Sequence, residues 1–379
     1  MKTIQANYVE NFVCDPRYCK GYCCQKPNII VDEKTLSKYK HIKPPVKSKE
    51  IMKNIKNDQI MLKAGECPFY DDRACLCSLA EDYGEEYMPV ICRTFPHYLT
   101  QFRDCFAVNL SLVCNAACKM VLEQKEPIEL VERDSKIKSG RLFKQYAHRK
   151  SKFLKTMQKY GLIILQNKDF SLDERMELLG NYLINSLNIE DENLFIEYSE
   201  EFLKNIESEA KKIPEFNKRT YLTKMTFVLT RLYGPNGYLI ESDTIGLTTF
   251  MDKVFDLARA DQPDKDFNMD EKLKLYDERF LPAKNAFEEK YQNELTNMLC
   301  HLFLFNITPL LPKDATYKHT VNYLRLQYDF MMFILICAYF NLEDEMDFPT
   351  LINAVSDSSR IFEDDMNVIN FFRGLSTAD

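Results

Sequence analysis

Thirteen cysteines occur in this chain of 379 residues, and eleven of them lie between positions 14 and 118. They are Cys14, Cys19, Cys23, Cys24, Cys67, Cys75, Cys77, Cys92, Cys105, Cys114 and Cys118, with Cys300 and Cys337 standing far downstream. Thiols crowded into one region serve disulfides, metal binding or redox chemistry. Four of them, in Cys14-x₄-Cys19-x₃-Cys23-Cys24, fall within eleven residues. That density is characteristic of a chelating loop, since both zinc and iron–sulfur clusters take about four thiolates per site. Adjacent Cys23 and Cys24 are expected to point apart and so not to share one metal atom. No apolar signal segment opens the chain, and the longest apolar run, residues 331–340, is half what a membrane span needs. The expected location is therefore the cytoplasm, with no membrane partner. A thiol cluster there favours metal or catalysis over disulfides.

The elements that must position these thiols divide at about residue 125. Residues 1–124 read as a small cysteine-rich α+β module and residues 125–379 as an all-α domain, so the fold class is mainly α. Within the module, Ile4, Tyr8 and Phe12 suggest a short entry strand. A helix capped by Asp32 follows, then a basic connector over 40–57 read as a solvated loop, and a short helix at 79–83. Alternation from Phe106 to Leu112 marks a half-buried strand, the second arm of a hairpin turning near Arg103-Asp104, and a helix is expected over 115–124.

Downstream the apolar spacing predicts helices over 140–165, 172–187, 193–212, 216–233, 243–260, 269–280, 283–306, 317–340, 350–355 and 359–372. Ser171 with Glu174 reads as a capping box, and Gly234-Pro-Asn-Gly237 and Pro282 as breaks. The run 331–340 is expected to be a buried core helix. A basic run from Lys136 to Lys159 reads as a solvated helix face.

The motifs carry a resemblance. Cys14-x₄-Cys19-x₃-Cys23-Cys24, Cys67-Pro-Phe, Leu-Cys77, Pro-Val-Ile-Cys92-Arg-Thr-Phe-Pro and Asn109-Leu-Ser-Leu-Val-Cys114 resemble the cysteine motifs of zinc- or iron-chelating domains. With the length and the helical second half, the whole chain resembles the flagellin lysine-N-methylases. That resemblance implies methyl transfer from S-adenosylmethionine to lysine side chains of flagellin, with a [4Fe–4S] cluster on the cysteine module. It places Cys14, Cys19, Cys23, Cys24, Cys67, Cys77, Cys92 and Cys114 on motif positions. Eight thiols exceed one cluster's four, so either two sites exist or some thiols are structural or resolving. Cys14, Cys19 and Cys23 rank first, then Cys92 and Cys24. Arg93 and His97, next to the Cys92 motif, are candidates for contacting the cofactor.

Three features bound that reading. The net charge of −7 argues against a general nucleic-acid binder. No two glycines stand closer than Gly234 and Gly237, and that pair follows a helical pattern, so no Rossmann-type sheet with its glycine-rich turn is expected. The Cys-x₃-Cys-x₂-Cys signature of radical-adenosylmethionine enzymes is also absent. A target lysine, with its ordinary pKa of about 10.4, must be desolvated or given a base before it can attack; no catalytic residue stands out. Two alternatives belong to other classes: a non-enzymatic, zinc-stabilised module whose helical domain binds a protein partner, and a redox or electron-transfer iron–sulfur protein.

Overall fold

The structure is a computed structural model. It describes residues 2–15, 18, 21–24, 29–71, 73–102, 105–134, 141–147, 151–186, 189–233, 269–307, 317–342, 345–363 and 366–377. The chain is mostly helical, with a small sheet in its N-terminal region and no Rossmann-type sheet among the described residues. It forms two compact units. One comprises Met1–Met120 and Leu130–His148, the other Val121–Glu129 and Arg149–Asp379.

The first unit has two parts. A five-stranded mixed sheet runs in the order β8-β1-β7-β6-β9, where β1 is Lys2–Ala6, β6 His97–Phe102, β7 Phe106–Leu110, β8 Leu130–Asp134 and β9 Arg141–Ala147. The β6–β7 hairpin expected from the alternation is present, pairing Leu99 with Val108; its turn residues, 103 and 104, lie outside the described residues. The entry strand is present too, and it lies parallel to β7 and antiparallel to β8. Leu99, Val108 and Leu110 are buried on one face of the sheet, and Ile4 and Ala107 on the other.

Between β1 and β6 the chain builds a second part from small pieces. Helix α1 (Glu33–Lys40) begins at Asp32, whose carboxylate accepts from Thr35 N at 3.1 Å. The basic stretch is not a plain loop. Its lysines are exposed, two of them (Lys47 and Lys49) on helix α2 (Pro45–Met52), where Pro45 starts the helix without losing a needed N–H and Ile51 is buried. A hairpin, β2 (Ile55–Lys56) with β3 (Gln59–Ile60), follows. A second, β4 (Tyr70–Asp71) with β5 (Leu76–Cys77), leads into α3 (Ser78–Tyr83) and α4 (Val90–Thr94). A compact core of Ile29, Val31, Tyr39, Ile42, Ile51, Ile60, Phe69 and Leu79 holds them, with Cys67 inside it and Cys24, Cys77 and Cys92 packed against it.

The second unit is helical. Leu172–Asn185 opens with the expected capping box: Ser171 Oγ accepts from Glu174 N, and Glu174 accepts from Ser171 N at 2.8 Å. Helix Tyr317–Asn341 is the core helix that the apolar run predicts, and nearly every residue from Phe330 to Tyr339 is buried. It packs against Leu172–Asn185, Phe348–Glu363 and Met366–Thr377. Phe330, Phe362 and Phe372 meet edge to face, with centroids 4.7–5.8 Å apart.

Several expected helices change shape. The helix expected from 140 begins only at Ser151, and Arg141–Ala147 is instead a strand parallel to β6. The basic run therefore covers a strand and a helix rather than one helix face. The segments expected at 350–355 and 359–372 are redrawn as Phe348–Glu363 and Met366–Thr377. Pro282 does not break its helix. The turn before it widens into a π-helical turn, Tyr276–Phe280, which relieves the clash of a proline ring with the carbonyl four residues back. The helix expected over 243–260 and the Gly234–Gly237 break lie outside the described residues. Among the described residues, no helix is long and apolar enough to cross a membrane.

Candidate metal centre

Cys23 and Cys24 sit on a one-turn 3₁₀ helix, Tyr22–Cys24, which follows Gly21. Gly21 has φ +68°, a left-handed conformation that suits glycine. A side chain there would also meet Tyr70, since a Cβ built on Gly21 would lie 2.4 Å from Tyr70 Cζ. The loop is thus pressed against β4, opposite whose Tyr70 stands Cys77 of β5. Cys24 N donates to Gly21 O at 2.8 Å, and Cys67 N donates to Cys24 O at 2.7 Å. These backbone bonds bring the first cysteine motif to the second.

The third motif arrives through Asp32. Besides capping α1, its carboxylate accepts from Val90 N at 3.0 Å, which pins the first turn of α4 and so Cys92. Burial works against the ionised carboxyl, but bonds from Val90 and Thr35 hold its pKa below the usual range. Tyr39, fully buried on α1, donates to Tyr87 O at 2.7 Å. Burial pushes its phenol pKa up, helped by the charges of Cys77, Cys92, Asp32 and Cys67. Tyr39 shares its core with Cys67, and Cys77 and Cys92 pack against that core.

Five of the eight motif thiols are brought together: Cys24, Cys77 and Cys92 pack against the core that holds Cys67, and Cys23 Sγ lies 3.9 Å from Cys24 Sγ, while Cys14 is exposed. Charge on Cys23 raises the pKa of Cys14, Cys24, Cys67, Cys77 and Cys92. Burial is the larger cause for Cys14, for Cys67, which is pushed up to about 11, and for Cys77 and Cys92. For Cys24 the first cause is its hydrogen bond to the Cys23 thiol, with Sγ atoms 3.9 Å apart. The expectation that these two neighbours point apart is corrected: the 3₁₀ turn sets them side by side. Two sulfurs on one tetrahedral zinc, at a Zn–S distance of about 2.3 Å, stand about 3.8 Å apart.

Cys19 lies outside the described residues. Cys114 is half-buried just before helix Asn115–Leu122 and accepts from Cys118 N. Arg93 is exposed on α4. His97 is half-buried at the start of β6, with Nδ1 3.2 Å from Thr94 O and its ring edge-on to Phe12 at 5.5 Å; burial lowers its pKa. The twelve described cysteines form no disulfide. Cys300 and Cys337, left out of the metal set, are wholly buried in the helical unit.

As placed, no three His, Cys, Asp or Glu side chains among the described residues close on one point at metal-binding geometry. The donor chemistry nonetheless fits a metal. Each ionised thiol penalises its neighbours, and a bound cation inverts that penalty because thiolate is the ligating form. Asp32 and Tyr39 are the contributors that the motifs do not reveal. Asp32 reads locally as a cap, while its bond to Val90 spans 58 positions.

Comparison with known proteins agrees at the level of the motif. Residues 13–115 match the family described as "Putative zinc- or iron-chelating domain". The chain is also similar to a flagellar biosynthetic protein, FliU, of Salmonella muenchen, with 25% identity over 143 residues, which is 34% of this chain and 81% of that protein. No solved structure matches the chain.

Proposed function

We propose that this protein is a lysine methyltransferase that modifies a flagellin with S-adenosylmethionine as donor and depends on an iron–sulfur cluster held by its thiols. The observation that carries the metal part is the gathering of Cys23, Cys24, Cys67, Cys77 and Cys92, from three separate motifs, in and against one small core. The substrate part is supported by the resemblance of the motifs and by similarity to a flagellar biosynthetic protein.

In this reading Cys23, Cys24, Cys67, Cys77 and Cys92 hold the metal centre, with Cys14 and Cys19 as further motif thiols. A bound metal centre supplies positive charge that makes the thiolates compatible, and it cross-links three segments of chain. Tyr39 and the core around Cys67 exclude water from the inner side. Asp32 fixes the helix bearing Cys92.

One observation favours a second reading. The 3.9 Å separation of Cys23 and Cys24 sulfurs suits two ligands of a single tetrahedral ion. That is the zinc-stabilised module, in which the metal serves the fold alone.

The test is purification without air, an optical spectrum, and iron, sulfide and zinc measured on the same sample. Methyl transfer to flagellin is then followed by mass spectrometry, for the wild type and for Cys23→Ser. The reading expects a broad band near 400 nm, about four irons and four sulfides per chain, and methylated lysines that disappear with Cys23→Ser. A colourless protein with stoichiometric zinc and no methyl transfer refutes it in favour of the second reading.

A further inference from the structure

The helical unit contains a cavity of about 660 Å³ that is remote in sequence from the thiol motifs. That volume is within the range of small-molecule and cofactor sites. One wall is an aromatic box. Phe216 and Tyr276 are near-parallel at 6.2 Å, Tyr276 and Phe280 stack at 5.1 Å, and Tyr221 stands edge-on to Tyr276 at 6.1 Å. Tyr276 and Phe280 begin and end the π-helical turn before Pro282. Such single turns are costly and recur at functional sites. Phe216 is 53% exposed, an apolar ring left at the surface beside three buried or half-buried ones.

The lining also carries charge, and the signs are unequal. Five described lining residues are carboxylates (Asp173, Glu174, Glu177, Glu215 and Asp329) against three cations, an excess of two. Each cation has a carboxylate of its own. Lys224 meets Asp329 at 2.9 Å, Lys284 meets Asp173 and Glu288, both at 2.9 Å, and Arg325 meets Glu177. Arg325 retains one buried N–H, at Nε, without a protein partner among the described residues. Gly180 leaves room for its guanidinium, because a Cβ there would lie 3.0 Å from Arg325 Nη2.

Aromatic faces beside excess carboxylate select an organic cation, and they disfavour phosphate-bearing ligands. A ring box also takes a flat heterocycle by stacking. A lone guanidinium N–H takes a carboxylate. S-Adenosylmethionine presents all three groups: a sulfonium, a purine and an α-carboxylate. We infer that the cavity bounded by Phe216, Tyr221, Tyr276 and Phe280 binds the methyl donor, an inference that rests on the methyltransferase reading. The donor then sits on the helical unit, and the thiol centre is not its anchor.

The experiment is calorimetric titration of the full chain, purified without air, with S-adenosylmethionine and with S-adenosylhomocysteine. Wild type, Phe216→Leu, Tyr276→Leu and Cys23→Ser are compared, with circular dichroism as the folding check. Phe216→Leu alters an exposed ring, so it tests the site even if Tyr276→Leu folds poorly. The inference expects the cationic donor to bind about two- to thirty-fold more tightly than the neutral product. It expects each ring variant to weaken donor binding about five-fold or more, the loss of one stacking face. Donor binding unchanged in both ring variants, or lost only in Cys23→Ser, overturns the cavity assignment and leaves methyl transfer standing. A wild type that neither binds the donor nor methylates flagellin overturns the methyltransferase reading, and this inference with it.

Discussion

Replacing Gly21 with alanine should loosen the thiol centre without touching a thiol. Two costs add. The residue holds φ +68°, where an alanine is strained by roughly 1–2 kcal/mol. The new methyl would lie 2.4 Å from Tyr70 Cζ and 2.5 Å from its hydroxyl. Tyr70 packs against the core that contains Cys67, so its ring escapes only by leaving that packing. Overpacking of this kind costs roughly 1–3 kcal/mol. The sum, roughly 2–5 kcal/mol, is set against the arrangement that lets Cys24 O receive Cys67 N at 2.7 Å. At about 1.4 kcal/mol per tenfold, metal retention in competition with a chelator should fall roughly 30- to 4,000-fold. Tyr70→Leu supplies the internal control. In that background the clash is gone and only the backbone strain remains, so Gly21→Ala should cost roughly 5- to 30-fold. A double-mutant cycle reads the difference. If Gly21→Ala keeps its metal as tightly as wild type, or if the two changes are simply additive, the loop is not pressed on Tyr70 and the reasoning fails.

Asp32→Ala removes a cap and the link to Val90, and should destabilise the cysteine module by about 1–2 kcal/mol, visible as faster amide exchange at Thr35 and Val90. Because the Asp32 pKa is depressed in the fold, its contribution is present above the unfolded value of about 3.9 and is lost as pH falls through the folded one. Wild type and variant should therefore converge in acid. Lys284→Met leaves Asp173 and Glu288 facing each other without their cation, and should cost the helical unit roughly 3–5 kcal/mol in denaturant titration. The Glu288 pKa is already raised, by burial first, so the deficit should shrink as pH falls and that carboxyl takes up its proton; a deficit independent of pH would contradict the ion-pair account. Arg175, 1% exposed, donates to Phe170 O at 2.7 Å and to Thr296 Oγ1 at 2.9 Å. Arg175→Met strands those acceptors and should lower stability by roughly 2–4 kcal/mol, whereas a loss under 0.5 kcal/mol would mean that water replaces the guanidinium.

Features set by near neighbours were legible in the sequence, and features set by distant ones were not. The Ser171 capping box and the Asp32 cap involve residues three apart, and both are present. The buried run around Met331 needed only its own composition. The stretch 40–57 misled because its lysines outweigh Pro45, Ile51 and Ile55. A signal was there in Asn57-Asp58, a two-residue turn with φ of 51° and 58° at the expected hairpin residues. The polar run Ser356-Asp-Ser-Ser359 masked one helix as two. All four residues are buried, and Ser358 and Ser359 return their hydroxyls to Ala354 O and Val355 O at 2.7 and 2.8 Å. The motif spacing pointed to the thiol group, while the side-by-side placement of Cys23 and Cys24 emerges only from the folded loop.

The thiols also explain why so slight a structure can hold its shape. Between Ile29 and Pro96 the described α-helices have five to eight residues, the one 3₁₀ helix three and the strands two. Isolated helices that short are marginal in water, and a two-stranded hairpin alone is not stable. Eight apolar side chains and one cysteine fill the core they share. The helical unit faces no such shortage, with a core helix of 25 residues packed on several partners. Under the proposed reading, a coordinate cross-link joining residues 23, 67, 77 and 92 would close three loops at once and supply what the small core lacks. A metal held there would belong first to the architecture of the cysteine module, and any chemistry it contributed would be built on that role.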